Sequence, residues 1–216
     1  MDSSDGSGPY RAITDFAHRT PSWVQSAFEI WTTYGLLLFG VLFAAVWWRS
    51  RGRGARLVAL ALLAPVATAV AYGASEFVKY AVDEERPCRA VVGAAAPLVP
   101  CPGPGDGSFP SNHAALAGAA TVALALAVRR LAPLTVPLAL LMAFSRVFVG
   151  VHHPHDVAFG LLLGGSVAAL AVLALAGPTG AVVTAARAGG IPAVIWFTDR
   201  GPARRGRGNV PGCRLP

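Results

Sequence analysis

Five stretches of this chain are apolar enough and long enough to cross a lipid bilayer, and nothing else in the sequence constrains the fold as strongly. A spanning helix needs about 20 mostly apolar residues, because hydrocarbon offers backbone polar groups no partner outside the segment. The stretches are residues 30–48, 57–78 (with Pro65 inside), 113–128, 131–149 (with Pro133 and Pro137) and 157–176, which ends at Gly177-Pro178. The third is short. It is expected to begin a turn earlier, near Pro110, with Arg129 snorkelling at its far end. Only 13% of residues are charged, against about 25% in a soluble domain. The predicted class is all-α, a polytopic membrane bundle of about five transmembrane helices.

Arginine placement orients that bundle. The net charge of +7 would suit a nucleic-acid partner if it formed one patch, but here the arginines fall between apolar runs. They fill the loop 49–56, the pair Arg129-Arg130 and the tail. Positive loops face the cytoplasm. The loops 79–112 and 147–156 then face outward, and the expectation is a multi-pass protein of the cell membrane with no nucleic-acid partner.

Three units follow. Residues 1–26 are polar, with no signal-peptide core. Tyr10, Ile13, Phe16 and Ala17 fall at helical spacing, which predicts a short helix on the outer interface. Residues 27–176 hold the spans. Residues 177–216 are rich in Gly, Ala, Pro and Arg and are expected to be largely disordered, apart from an apolar patch at 191–197.

Chemistry-bearing residues gather where apolar stretches end on the outward side. Lys79, the one lysine of the chain, precedes Arg86-Pro87; Pro110-Ser111-Asn112-His113 opens the third span; Ser145-Arg146 closes the fourth; and His152-His153-Pro154-His155-Asp156 opens the fifth. If Pro154 starts a helix, one turn separates His152 from Asp156. The carboxylate then accepts Nδ1–H and leaves Nε2 as a free nucleophile. A metal site at His152, His155 and Asp156 is the rival reading, and the lack of a second ligand cluster counts against it. His113 at a helix start sits where N–H groups and the dipole favour an anion, and there it can protonate a leaving oxygen. Plain capping by Ser108, Ser111 or Asn112 is compatible with that role. Lys79, Arg86 and Arg146 read as interfacial anchors if taken singly. Beside the histidines they read as a phosphate clamp, arginine by forks and lysine as a point charge. Asp83-Glu84-Glu85 reads as a solvated loop face. Cys88 and Cys101 share the outward loop, where an oxidising exterior permits a disulfide.

These residues resemble the type 2 phosphatidic acid phosphatase (PAP2) superfamily, which also contains the vanadium haloperoxidases. Its motifs K-x6-R-P, P-S-G-H and S-R-x5-H-x3-D match Lys79-x6-Arg86-Pro87, Pro110-Ser111-Asn112-His113 and Ser145-Arg146-x5-His152-x3-Asp156. Asn112 departs from the motif glycine. Ser108-Phe109-Pro110-Ser111-Asn112-His113-Ala114 is also similar to a stretch of bacterial undecaprenyl-diphosphate phosphatases, as is the segment Phe16 to Trp23. The resemblance implies a membrane phosphatase without metal or other cofactor. His152 would attack phosphorus, Asp156 orient it, and His113 protonate the leaving oxygen; Lys79, Arg86, Arg146 and the amides of Ser111 and Asn112 would hold phosphate oxygens. The implied substrate is a membrane lipid phosphate, first a polyprenyl diphosphate, with phosphatidate or phosphatidylglycerophosphate as alternatives. A vanadate-dependent haloperoxidase-like protein and a non-catalytic scaffold are the readings from other classes.

Overall fold

A computed structural model describes residues 7–199, and among them all regular structure is helical. Helix α1 spans Ser7–Arg19, α2 Ser22–Ser50, α3 Ala55–Val82, α4 Pro87–Ala90, α5 Asn112–Ala127, α6 Ala132–Phe148, α7 Pro154–Ala188 and α8 Pro192–Thr198, with a 3-10 turn at Arg129–Leu131 before α6. Four segments, Ser22–Ser50, Ala55–Ala90, Arg129–Phe148 and Pro154–Ala188, are long and apolar enough to cross a membrane. The fifth expected span, α5, has 16 residues, about 24 Å of helix. It can be short because it is central. Ala114, Ala117, Gly118, Ala120, Leu124 and others along it are buried against α2, α3, α6 and α7.

The boundaries depart from expectation in two places. Helix α2 starts at Ser22, inside the polar segment 1–26, because Pro21 fixes an extended turn ahead of it. Helix α7 does not end at Gly177-Pro178 but continues through Pro178 to Ala188. The missing N–H of an interior proline is tolerated in membrane helices whose neighbours satisfy the freed carbonyls. The patch at 191–197 caps and enters α8, with Ile191 as the N-cap, and Trp196 and Phe197 pack on Trp47. The expectation of disorder is therefore replaced by helix over most of 177–199; residues 200–216 lie outside the described residues.

The chain crosses back and forth, so loops sort to two ends. At one end Arg49, Arg53, Arg129 and Arg130 border a cavity of about 540 Å³, and Arg187 Nη1 donates to the Arg53 carbonyl at 3.0 Å. Arg51 is buried there, its guanidinium 3.8 Å from the centre of the Trp48 ring and 4.8 Å from that of Trp196. At the other end α1 is held by hydrogen bonds as well as apolar contact. Tyr10 Oη donates to the Gly150 carbonyl at 2.9 Å and Arg11 Nη2 to the Val92 carbonyl at 2.7 Å. Tyr10 and Ala17 are fully buried, whereas Phe16 is exposed. Cys88 and Cys101 form a disulfide at this end, with Cα atoms 6.2 Å apart.

Helices α5 and α7 touch backbone to backbone. A Cβ at Gly164 would stand 1.9 Å from the Ala115 carbonyl oxygen, one at Gly160 2.6 Å from the Ser111 carbonyl oxygen, and one at Gly118 2.5 Å from the Leu161 carbonyl oxygen. Small residues at i, i+4 spacing allow this approach, because van der Waals packing rather than hydrophobicity joins helices in lipid. Gly164→Ala is therefore expected to force the pair apart and destabilise the protein by about 1–3 kcal/mol. Gly73→Ala meets nothing within 4 Å and is expected to stabilise α3 by up to about 1 kcal/mol through helix propensity. Thermal unfolding in detergent should show opposite signs for the two variants; equal signs would remove the backbone contact from the account.

Candidate active site

At the end away from the arginine loops lies a cavity of about 440 Å³. It is lined by Tyr72, Glu76 and Lys79 from α3, Asn112, His113 and Leu116 from α5, Arg146 from α6, and Arg86, Pro102, Asp106 and His152 from the loops. The cations and histidines singled out in the sequence thus meet in one place. Each is delivered by a helix end, and α5–α7 contact sets the two histidine-bearing ends in register. The Ser111 amide donates to the Asp156 carbonyl at 3.1 Å.

Pro154 stands at the first turn of α7, with His153 as N-cap. This start puts Asp156 one turn past His152, and His152 Nδ1 lies 3.3 Å from Asp156 Oδ2. The same oxygen accepts the His153 amide at 2.8 Å and the Ser108 hydroxyl. Fully buried, the carboxylate is fixed by three donors rather than one. Nε2 of His152 is not free as expected: Arg86 Nη1 lies 3.1 Å from it. A guanidinium only donates, so Nε2 carries the lone pair and Nδ1 the proton. Arg86 therefore covers the lone pair and also fixes the tautomer that has it.

Arg86 is itself almost fully engaged. Nε donates to the Asp106 carbonyl at 3.0 Å, Nη2 to Asp106 Oδ1 at 3.0 Å, and Nη1 to the Val151 carbonyl at 3.1 Å as well as to His152. Lys79 Nζ lies 3.3 Å from the same Asp106 oxygen. Burial opposes ionisation of Asp106, but the Arg86 hydrogen bond and charge, then Lys79, hold its carboxyl below the usual range. Arg146 is held differently, by donation from Nη1 to Thr32 Oγ1 at 2.8 Å.

The start of α5 differs in detail from expectation. Ser111 is the N-cap but makes no side-chain capping bond, and its buried hydroxyl lacks a partner among the described residues. Its amide is committed to Asp156, so it is not available to an anion; the next amides, of Asn112 and His113, open the helix. The Asn112 side chain turns to α3. Its Oδ1 accepts from Ser75 Oγ at 2.7 Å, and its Nδ2 donates to Glu76 Oε1. Glu84, expected to be solvated, reaches His155 Nε2 at 3.1 Å, and that nitrogen is also 3.1 Å from Asp156 Oδ1. Glu84, His155 and Asp156 bring ligand atoms within 4.8 Å. They form the one group among the described residues with metal-ligand chemistry, and it includes neither His152 nor the cavity cations.

Thr32, Glu76, Asp106 and Ser108 were not singled out as site residues in the sequence. Glu76 alone left a signal: it is an acidic residue near the end of a span, at i−3 from Lys79. Membrane carboxylates of this kind face cavities or partners.

The PAP2 superfamily profile matches residues 58–177, more than half of the chain, and the chain belongs to that superfamily. It is 36% identical over 111 residues to a decaprenylphosphoryl-5-phosphoribose phosphatase of Mycobacterium tuberculosis, covering 50% of this chain and 58% of that protein. It is 42% identical over 72 residues to an undecaprenyl-diphosphatase of Sulfolobus acidocaldarius, covering 33% of this chain and 35% of the relative. The chain thus spans little more than half, and about a third, of these two relatives. Two crystal structures share the fold. The PAP2-type phosphatidylglycerolphosphate phosphatase of Bacillus subtilis has a TM-score of 0.57 at 23% identity, over 76% of this chain and 83% of that one. Aquifex aeolicus LpxE has 0.56 at 20% identity, over 76% and 93%.

Burial pushes the His152 imidazole from 6.5 down to about 4, with Arg146 and Arg86 adding to the effect and Asp156 opposing it. Above pH 6.5 the group is neutral in both the folded and the unfolded chain. Between 6.5 and about 4 only the unfolded chain takes the proton, so stability should fall as pH drops through that window and level off below it. Replacing His152 by Asn should flatten the fall in unfolding temperature between pH 7 and 4.5. An unchanged slope in His152→Asn would place the titrating group elsewhere.

Proposed function

We propose that this PAP2 chain is an integral membrane phosphatase that releases inorganic phosphate from a polyprenyl-anchored phosphate through a phosphohistidine at His152. The observation that carries the reading is an anion already seated in the cavity. The Asp106 carboxylate rests on Lys79 and Arg86, beside an imidazole whose lone pair faces the same guanidinium. A site that holds a carboxylate this way has the charge and the donors to hold phosphate oxygens in its place.

In the proposed reaction the phosphate displaces Asp106 and takes the Arg86 N–H from Nε2. The freed lone pair attacks phosphorus, and the bond to the leaving oxygen breaks. His113, which lines the same cavity, gives that oxygen its proton. Asp156 balances the charge on the imidazolium ring. Water, deprotonated by His113, then attacks phosphorus, the N–P bond breaks, and neutral His152 returns as phosphate leaves. Lys79, Arg86 and Arg146, with the amides of Asn112 and His113, stabilise the equatorial oxygens. Phosphoryl transfer depends mostly on such positioning and charge. Three cations fill the role of a metal clamp, which makes the reaction metal-independent.

Both curated relatives carry polyprenyl substrates in their names, which favours a polyprenyl anchor over phosphatidate or phosphatidylglycerophosphate. The arginine loops at the far end favour a cytoplasmic face there and an extracytoplasmic cavity.

Two experiments check the reading. Protein incubated with phosphate-labelled polyprenyl substrate, with EDTA present, is expected to trap acid-labile, base-stable label, and His152→Ala to trap none. Label retained by His152→Ala would remove the nucleophile. Loss on chelation, restored by zinc, would turn attention to Glu84, His155 and Asp156. Separately, Asp106→Asn removes the competing charge and should tighten inhibition by inorganic phosphate roughly tenfold, the size of a charged hydrogen bond, with a matching fall in KM. A rise in KM would make Asp106 a strut for Arg86 rather than a stand-in for substrate.

A further inference from the structure

Glu76 is out of place in a cavity built for phosphate. It lies one turn below Lys79 on α3, and with Tyr72 it lines the same wall. Residues at i, i+4 and i+7 share a helix face, so Tyr72, Glu76 and Lys79 form a stripe. Among the described residues Glu76 makes no ion pair with the nearby cations. It is held instead by Asn112 Nδ2 through one carboxylate oxygen, while Ser75 fixes the Asn112 amide from the other side. Asn112 takes the position where the motif has glycine, and its side chain is spent on this bridge. His113, the next residue along α5, lines the same cavity as Glu76.

The two cavity carboxylates differ in what substrate can do to them. Asp106 sits on a loop flanked by Gly105 and Gly107 and can be displaced. Glu76 sits on a helix and remains beside whatever binds. With Asp106 displaced, Glu76 and one phosphate dianion together balance the three cations, so the cavity tolerates one phosphate group far better than two. A fixed carboxylate beside the departing group repels an anionic leaving group and accepts hydrogen bonds from hydroxyls.

Resting on the phosphatase reading above, we infer that Tyr72, Glu76 and Asn112 form a leaving-group subsite for a hydroxyl-bearing ring. The substrate class is then a polyprenyl-anchored sugar phosphate, in which the sugar separates the scissile phosphate from the next anionic group. Polyprenyl diphosphate, whose leaving group is itself a phosphate, is the disfavoured class. The inferred class differs from the polyprenyl diphosphate that the motif resemblance implies.

The test measures kcat/KM for wild type, Glu76→Gln and Glu76→Ala in detergent, on a polyprenylphosphoryl-5-phosphoribose and a polyprenyl diphosphate of equal chain length. Wild type is expected to favour the sugar substrate by tenfold or more, the range set by losing a hydrogen bond to a charged group. Glu76→Ala should shrink that ratio at least tenfold by losing rate on the sugar and gaining it on the diphosphate. Glu76→Gln removes the charge but keeps an acceptor, so it should gain on the diphosphate as Ala does and lose less on the sugar. Equal losses on both substrates would make Glu76 a purely structural partner of Asn112 and overturn the inference, as would a wild type that prefers the diphosphate. Release of p-nitrophenol from p-nitrophenyl phosphate by wild type separates the two failures. Without it the phosphatase reading fails; with it, a flat substrate ratio sinks the subsite alone.

Discussion

The site depends on two helices being close enough to share a hydrogen bond. Gly160 and Gly164 on α7 leave room for the α5 backbone at Ser111 and Ala115, and the Ser111 amide reaches the Asp156 carbonyl as a result. That contact brings His113, in the first turn of α5, and His152, just before α7, into the lining of one cavity. A Cβ at either glycine would stand 2.6 Å or less from an α5 carbonyl oxygen, so the two helices would have to part. In lipid, where apolar surface alone gives helices no reason to associate, such steric permission decides geometry.

From this register the polar groups assemble in a fixed order. Asp156 collects donors from Ser108, His152 and His153, which binds the start of α7 to the loop before α5. Arg86 then links that pair to the loop between α4 and α5 through Asp106, and the disulfide at Cys88 and Cys101 ties that loop to α4. Arg146 is braced from α2 by Thr32. Each spanning helix thus contributes at least one group, and the cavity is a property of the whole bundle.

What the sequence made legible was whatever is local. The spans, the arginine loops, the pair His152 and Asp156 one turn apart, and the three cations near helix ends can all be read within short windows. What stayed hidden is pairing across distance. Thr32 reaches Arg146 over 114 residues and Ser75 reaches Asn112 over 37, and no periodicity marks either pair. Asp106 lies in a glycine-rich loop with no motif or periodicity to mark it, and nothing near Asn112 in sequence shows that its side chain is engaged with α3. The run of α7 past Pro178 was hidden for another reason: a proline reads as a stop in water, whereas neighbouring helices supply what it removes.

The engagement of Arg86 has a consequence for how binding energy is distributed. Nearly every N–H of that guanidinium already has a partner, so an arriving phosphate exchanges bonds instead of adding them. Under the proposed reaction, ground-state affinity is then modest by construction. The surplus appears only as charge redistributes over the oxygens in flight and the carbonyl and imidazole partners become poorer competitors. Tight holding is reserved for the moment of transfer, and the product, a small dianion, meets the same internal rivals on its way out.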